Sequence, residues 1–364
     1  MYKYQVYRPT ITGNEKKYVN ECLDSTWISS KGRFVNEFEK EFAKYINVSY
    51  ATSVCNGTVA IHLALVALGI GEGEEVIVPT FTYVASVNPV LQVNAKPVFV
   101  DSQEKSWQMC PKDLKAKITP KTRAIIVVHL YGQPCDMDEI MKIAKEHKLF
   151  VIEDCAEAIG SKYKGQHVGT FGDIGTFSFF GNKTITCGEG GMVVTNDITI
   201  HDRLTHFKGQ GLAKYREYWH DTIGFNYRMT NIQAAIGMAQ LEKVEIFLEK
   251  KQKIAKWYQE GLKDIPVDFH NKTGDVYHSY WMCSILVRKA LIRDQLREHL
   301  AQLKIETRPT FYPVHTMPMY AIKYLQHKTA EDLASRGINL PSYPDLNKDD
   351  VDFICNSIKS FYEK

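Results

Sequence analysis

Between residues 50 and 200 the chain repeatedly sets a short apolar run before a stretch of helical periodicity. Tyr50–Val54 reads as a first strand, Gly57–Leu68 as the helix behind it, and Glu75–Pro79, centred on Val76-Ile77-Val78, as a second, buried strand. Pro97–Asp101, Ala124–Val128, Leu149–Asp154, Thr176–Phe180 and Gly191–Thr195 repeat the strand pattern, and Met137–His147 repeats the helical one. Strands apolar throughout need cover on both faces, which crossover helices provide. The pattern therefore predicts an α/β domain with a mainly parallel, seven-stranded sheet between helices. In such sheets ligands gather where loops meet at the carboxyl ends of the strands.

After Thr230 one helical pattern runs to about Lys263, with Ile232, Ile236, Leu241, Val244, Phe247 and Leu248 on its apolar face. A helix of that length is expected to bridge two domains. Beyond it, a strand at Ser279–Val287 and helices at Arg293–Gln302 and Lys348–Tyr362 predict a smaller α+β domain. The expected division is a large cofactor-binding domain over 1–240, including the N-terminal segment, and a small C-terminal domain over 241–364. The active site is expected between them.

Charge excludes some classes of partner. With 45 basic and 42 acidic residues the net charge is only +3. The densest basic run, Lys250-Lys251-Gln252-Lys253, shares its helix with Glu245 and Glu249, so it reads as a solvated face and not a nucleic-acid surface. Met1–Lys17 holds no apolar signal-like core and no stretch has the length of a membrane span. The eight cysteines are scattered singly, without Cys-x-x-Cys pairs or histidines at zinc spacing. The expectation is a cytoplasmic protein with reduced thiols and no metal, nucleic-acid or membrane partner.

The strand ends carry the chemistry. Asp154 closes one strand, Lys183 follows the next, and Gly188-Glu189-Gly190-Gly191 lies just beyond. Alone, Asp154 is accounted for by a helix cap and Lys183 by a place on the surface. Together they match what pyridoxal phosphate requires. That cofactor needs an amine for its aldehyde, which Lys183 supplies as a Schiff base, and a carboxylate against its pyridine nitrogen, which Asp154 supplies. Its phosphate needs N–H groups at a helix start and hydroxyls, offered by Gly57, Thr58 and Ser178. Tyr83, just past the second strand, can cover the ring, although core packing is the ordinary use of such a residue.

Longer stretches carry a family resemblance: Ser29-Ser30-Lys31-Gly32, Asn56-Gly57-Thr58, Pro79-Thr80-Phe81-Thr82-Tyr83, Glu153-Asp154-Cys155-Ala156-Glu157-Ala158, Ser178 to Gly191, Gly224 to Met229 and Arg308-Pro309. Over essentially its whole length the chain resembles the fold-type-I aminotransferases that act on nucleotide-linked keto-sugars. The stretches Tyr18 to Gly32, Phe179 to Thr186, Tyr218 to Asp221 and Phe311 to Thr316 are similar to the branch that makes GDP-perosamine.

That resemblance implies transamination, with Lys183 as anchor and then proton carrier, Asp154 on the ring nitrogen, Tyr83 on the ring face, and Gly57, Thr58 and Ser178 on the phosphate. It implies that Asn226 reaches the cofactor of a second subunit, making a homodimer with shared active sites. It further implies glutamate as donor and GDP-4-keto-6-deoxymannose as acceptor, for surface polysaccharide (O-antigen) synthesis. A dTDP- or UDP-linked keto-sugar is the alternative within the family, and a non-catalytic regulatory protein the alternative outside it. Many members place Gln where this chain has Glu157, beside the cofactor's 3-oxygen, so a proton must sit on one of the two groups. A dehydratase branch replaces the lysine by His, and Lys183 argues against that chemistry. Arg308, Tyr312 and His315 are the candidate substrate contacts. An ion pair would account for Arg308 equally well, and turn or core packing for Tyr312 and His315. Trp219 and His220 fit substrate or subunit contact alike.

Overall fold

A computed structural model describes residues 2–270, 272, 274–321 and 325–363. The chain opens with helices α1 (Glu15–Asp24) and α2 (Arg33–Ile46), then runs β1 (Tyr50–Val54), α3 (Gly57–Leu68), β2 (Glu75–Pro79), α4 (Asn88–Gln92) and β3 (Lys96–Val100). Next come α5 (Pro111–Ala116), β4 (Thr122–Val128), α6 (Met137–His147) and β5 (Phe150–Asp154). A short ribbon, β6 (Lys162–Tyr163) and β7 (Gln166–His167), precedes β8 (Ile174–Ser178), β9 (Gly191–Thr195) and α7 (Ile198–Lys208). The remainder is α8 (Asn231–Leu241), α9 (Val244–Gly261), β10 (Val267–Phe269), β11 (Val276–Tyr277), β12 (Cys283–Val287), α10 (Ala290–Gln302), β13 (Arg308–Pro309), α11 (Lys328–Arg336), β14 (Gly337–Leu340) and α12 (Lys348–Tyr362).

The expected α/β fold is present. Seven strands form one sheet in the order β1-β9-β8-β5-β4-β2-β3. Six run in one direction, and β9 runs against both of its neighbours. The loop 179–190 between β8 and β9 carries Lys183 and no crossover helix, so the chain returns antiparallel. Helices cover both faces. On one, α2 presents Phe34, Phe38, Phe42 and Ile46 at four-residue spacing, with the Phe42 ring edge-on to Phe177 at 5.0 Å. On the other, α3 is buried almost all round, capped by Asn56, whose side chain accepts the Val59 N–H, and ended by left-handed Gly69.

The expected bridging helix is two helices. α8 packs on α1 and α2, where Asn14 and the Tyr18 hydroxyl grip Glu242 at 2.7 and 2.6 Å. α9 then starts in the core under the sheet with Val244, Phe247 and Leu248 and ends in a different core with Ile254, Ala255 and Tyr258. One straight helix does not serve both contacts, and the break falls at 242–243. The second core is built on a four-stranded sheet, β10-β12-β14-β13, packed by α9, α10 and α12. The chain's start belongs there too: Tyr4 bridges Ile305, Glu306 N–H donates to Tyr4 O at 2.8 Å, and Ser342 N–H donates to Val6 O. In the other direction, β11 pairs with β6 beside the large sheet. All eight cysteines are free thiols, and no helix among the described residues is long and apolar enough to cross a membrane.

Candidate active site

The strand register brings the sequence candidates to one edge of the large sheet. Asp154 pairs with Val128 on one side and Thr176 on the other, and Ser178 and Val54 both pair with Gly191. Asp154 is only 4% exposed. Its Oδ2 accepts the Ser86 hydroxyl at 2.7 Å and its Oδ1 the Ala156 N–H at 3.0 Å. Because Ser86 spends its proton there, Thr82 donates to Ser86 at 3.0 Å. Among the described residues no cation lies within ion-pair distance of Asp154. It is a buried, oriented carboxylate, which leaves it ready for a cationic ring N–H.

Lys183 stands one strand over. Its Nζ is 3.8 Å from Glu157 Oε1 and 4.0 Å from the centroid of the Trp281 ring. Burial lowers the pKa of the amine, with the charges of Glu157 and Asp154 pulling back. Burial also pushes Glu157 up, to about 7, against Lys183 and the Tyr131 N–H, which donates to Oε2 at 2.8 Å. Both members of the pair thus shift toward their neutral forms, and a neutral amine is what an aldehyde requires. Left-handed Tyr131 (φ 57°) aims its N–H at Glu157, while its hydroxyl oxygen accepts the Phe311 N–H at 3.0 Å.

The phosphate-type site rests on a close approach. A Cβ on Gly57 would fall 2.6 Å from the Ser178 Cβ, so only glycine lets the mouth of α3 sit against that hydroxyl. The first N–H groups of α3 then open beside Ser178 with no intrahelical acceptor. Tyr83, 57% exposed, has its ring 5.5 Å from that of Phe311 at the same edge.

The other candidates have contacts of their own. Asn226 is exposed, and its Oδ1 accepts from the Arg228 guanidinium at 3.1 and 3.2 Å. Arg308 is exposed and pairs with Glu306 at 3.3 Å, and Tyr312 is exposed nearby. His315 is buried, with Nδ1 2.6 Å from Thr80 Oγ1 and Nε2 3.2 Å from Glu331. It therefore ties the 313–316 turn to the end of β2. Trp219 lies under the Arg216 guanidinium, and His220 Nδ1 meets Gln210 O at 2.9 Å. Sequence reasoning missed Ser86, Tyr7, Tyr131 and Trp281. A hydroxyl pair four residues apart, Thr82 and Ser86, was the one local signal; the others arrive through tertiary contact.

One buried cluster, His129, Glu153 and Cys155, has metal-like spacing. Its atoms are committed. His129 Nδ1 accepts the Cys135 N–H, which puts the ring proton on Nε2 toward Glu153 at 3.1 Å. Glu153 also accepts the N–H groups of Gly169, Phe171 and Gly172, and burial pushes the Cys155 thiol well above its usual range. The cluster stitches the 169–172 turn to β5.

A family model for the DegT/DnrJ/EryC1/StrS aminotransferase family matches residues 9–359. The chain belongs to this aminotransferase family. Among relatives of this DegT/DnrJ/EryC1/StrS aminotransferase, the GDP-perosamine synthase of Escherichia coli O157:H7 is 63% identical over 98% of each chain. That of Vibrio cholerae is 51% identical, again over 98% of each. A solved structure, the PLP-form of a putative sugar aminotransferase, Spr1654, from Streptococcus pneumoniae, aligns with a TM-score of 0.93 at 27% identity over 98% of each chain. The aminotransferase site described above fits pyridoxal phosphate: a buried carboxylate without a cation, an amine depressed by burial, and a helix mouth that a Cβ would fill.

Proposed function

We propose that this chain is a pyridoxal-phosphate-dependent aminotransferase that moves the amino group of glutamate to C4 of GDP-4-keto-6-deoxymannose, leaving 2-oxoglutarate and GDP-perosamine. The observation that carries the chemistry is the placement of the Asp154 carboxylate, with no cation in ion-pair distance among the described residues, at the end of β5 and of the Lys183 amine in the loop after the neighbouring strand β8. The choice of sugar rests on the likeness to the two GDP-perosamine synthases.

When bound, pyridoxal phosphate supplies an electron sink that stabilises negative charge on the carbon bearing the amine. The protein's part is positional. Lys183 would hold the cofactor through its amine, and the same amine would serve as the proton carrier at the substrate carbon. Asp154, fixed by Ser86 and Ala156, would keep a proton on the ring nitrogen. Gly57, Thr58 and Ser178 would hold the phosphate, Tyr83 would cover the ring, and Glu157, its carboxyl pushed up to about 7, would face the phenolic oxygen. Asn226, which is exposed, serves the site of a second copy, so the working form is a homodimer. Arg308 and Tyr312 take the sugar nucleotide, and His315 contributes through the turn it fixes. The enzyme works in the cytoplasm and feeds surface polysaccharide synthesis.

The test is to incubate protein, pyridoxal phosphate and glutamate with GDP-4-keto-6-deoxymannose, and in parallel with dTDP- and UDP-linked keto-sugars, and to weigh the products. The amino sugar is expected from the GDP substrate. Turnover of only another nucleotide would overturn the substrate, and a protein that takes up no cofactor colour would overturn the chemistry.

A further inference from the structure

Lys183 is held by side chains from far away in the chain. Its carbonyl accepts the Tyr7 hydroxyl at 2.7 Å, and the carbonyl before it, on Asn182, accepts the Trp281 indole N–H at 2.7 Å. The same indole turns its face to the amine, with Nζ 4.0 Å from the ring centroid. Trp281 arrives there because the segment before it docks on the large sheet's edge. Val276 pairs with Tyr163, Ser279 N–H donates to Gly132 O, and the Ser161 hydroxyl meets that of Ser279 at 2.8 Å. Gly132 (φ 95°) gives this segment its room, since a Cβ there would lie 2.5 Å from Ser279 Oγ.

Behind Trp281 lies a second lysine, and here the sequence expectation fails. Lys251, expected on a solvated face, is 1% exposed. Its Nζ donates to Trp281 O at 3.2 Å and Ser342 O at 2.7 Å and stands 5.0 Å from the centroid of the Tyr7 ring. Among the described residues no carboxylate is within ion-pair distance of it, and burial pushes its pKa down to about 8. A buried ammonium held by carbonyls and a ring face, with no carboxylate in reach, is unfavourable where an apolar side chain of similar shape would pack. Its position, touching both residues that grip Lys183, supplies a role.

We propose that Trp281 is a positioning residue for the Lys183 amine, and that Lys251 sets Trp281 in place from behind. The inference rests on the reading of Lys183 as anchor and proton carrier. In that role the amine is bonded for part of the cycle and free for the rest, and when free it must stay within reach of the reacting carbon. Glu157 on one side and the Trp281 face on the other define where it waits. The charges facing it are those of Glu157 and Asp154 from the sheet, while Tyr7 meets only its carbonyl. The ring face favours the charged amine, so weakening that face lowers the pH at which the amine titrates.

The titration is read in cofactor-free protein, from the pH dependence of Lys183 acylation by acetic anhydride, quantified by peptide mass spectrometry. Trp281→Phe removes the N–H and weakens the face; a protein with fluorinated tryptophan at 281 keeps shape and N–H and weakens the face alone. Both are expected to lower the midpoint, by roughly half to one pH unit in the fluorinated protein. Lys251→Met is expected to lower kcat about tenfold with KM for glutamate within about twofold, as misplacement of a reacting group predicts. An unmoved midpoint in both Trp281 proteins, or a Lys251→Met protein of unchanged kcat, overturns the proposal. A wild-type protein that takes up no pyridoxal phosphate colour would instead sink the functional reading beneath it.

Discussion

Glu157 and Lys183 face each other at 3.8 Å in a site that buries both, and burial drives each toward its uncharged form. The carboxyl sits near pH 7, above the 4.5 of an unfolded glutamic acid. The folded protein therefore holds this proton more tightly than the unfolded chain. The burden of the buried charge is absent below about pH 4.5, grows through the window up to about 7, and is constant above it. Glu157→Gln keeps an acceptor for Tyr131 N–H and removes the titration. Relative to wild type, the cofactor-free Gln protein is expected to gain stability as pH rises from 5 to 8, by on the order of 3 kcal/mol at most. Unfolding midpoints of both proteins across that range check it, and a constant difference would refute it.

Lys183→Ala is expected to fold normally, because the facing Glu157, already pushed up to about 7, takes a proton when its partner is removed. Turnover should fall by at least about 10²–10⁴-fold, the range lost with a general acid–base group, with the covalent anchor lost as well. Borohydride treatment followed by peptide mapping should fix cofactor to residue 183 in wild type alone. Cofactor fixed at another lysine would overturn the assignment.

Gly57→Ala would force a Cβ to within 2.6 Å of Ser178 Cβ. The mouth of α3 must then move away from that hydroxyl, and affinity for pyridoxal phosphate is expected to drop tenfold or more while the sheet survives. Adding Ser178→Gly removes both of the nearest atoms and should restore part of the thermal midpoint but not the phosphate affinity. Equilibrium cofactor titration and thermal melts separate the two effects.

Arg308 makes one exposed ion pair, with Glu306. Such a pair contributes about 0–1 kcal/mol, so Arg308→Ala should leave the unfolding midpoint almost unmoved. If Arg308 holds the nucleotide sugar, KM for that substrate rises about tenfold with little change for glutamate. Equal KM values in both proteins would remove it from the site.

Thr80→Val deletes the hydroxyl that meets His315 Nδ1 at 2.6 Å and accepts the His315 backbone N–H at 3.2 Å. Leaving buried polar groups short of a partner costs about 1–3 kcal/mol. Chemical denaturation should show a loss of that size, and a neutral result would mean that the 313–316 turn is held by its other contacts.

Much of the site is legible in the sequence because strand ends are local features. Asp154 and Ser178 end recognisable apolar runs, and Gly57 and Lys183 follow such runs. β1, β5 and β8 run in one direction, β1 and β8 on either side of the antiparallel β9, so these ends fall on one side of the sheet. The direction of β9 is not legible, since a strand's side-chain pattern is the same in either direction. The break between α8 and α9 is hidden because Leu241 and Val244 continue one apolar stripe across it. Trp281 and Tyr7 carry no local mark, as their partners lie far off in sequence. Lys251 misleads for a related reason: Glu245, Glu249 and Lys250 surround it in sequence, yet helix geometry turns it to the inner face.

The pairing of the first residues with Lys304, Glu306 and Ser342 has a practical meaning for recombination. The smaller unit is assembled from both ends of the polypeptide, so a cut near residue 240 does not separate two self-sufficient pieces. A chimera that exchanges the C-terminal third between family members must carry residues 2–8 with it. Otherwise it inherits a foreign N-terminal segment, and with it a mismatched Tyr7 against the lysine turn.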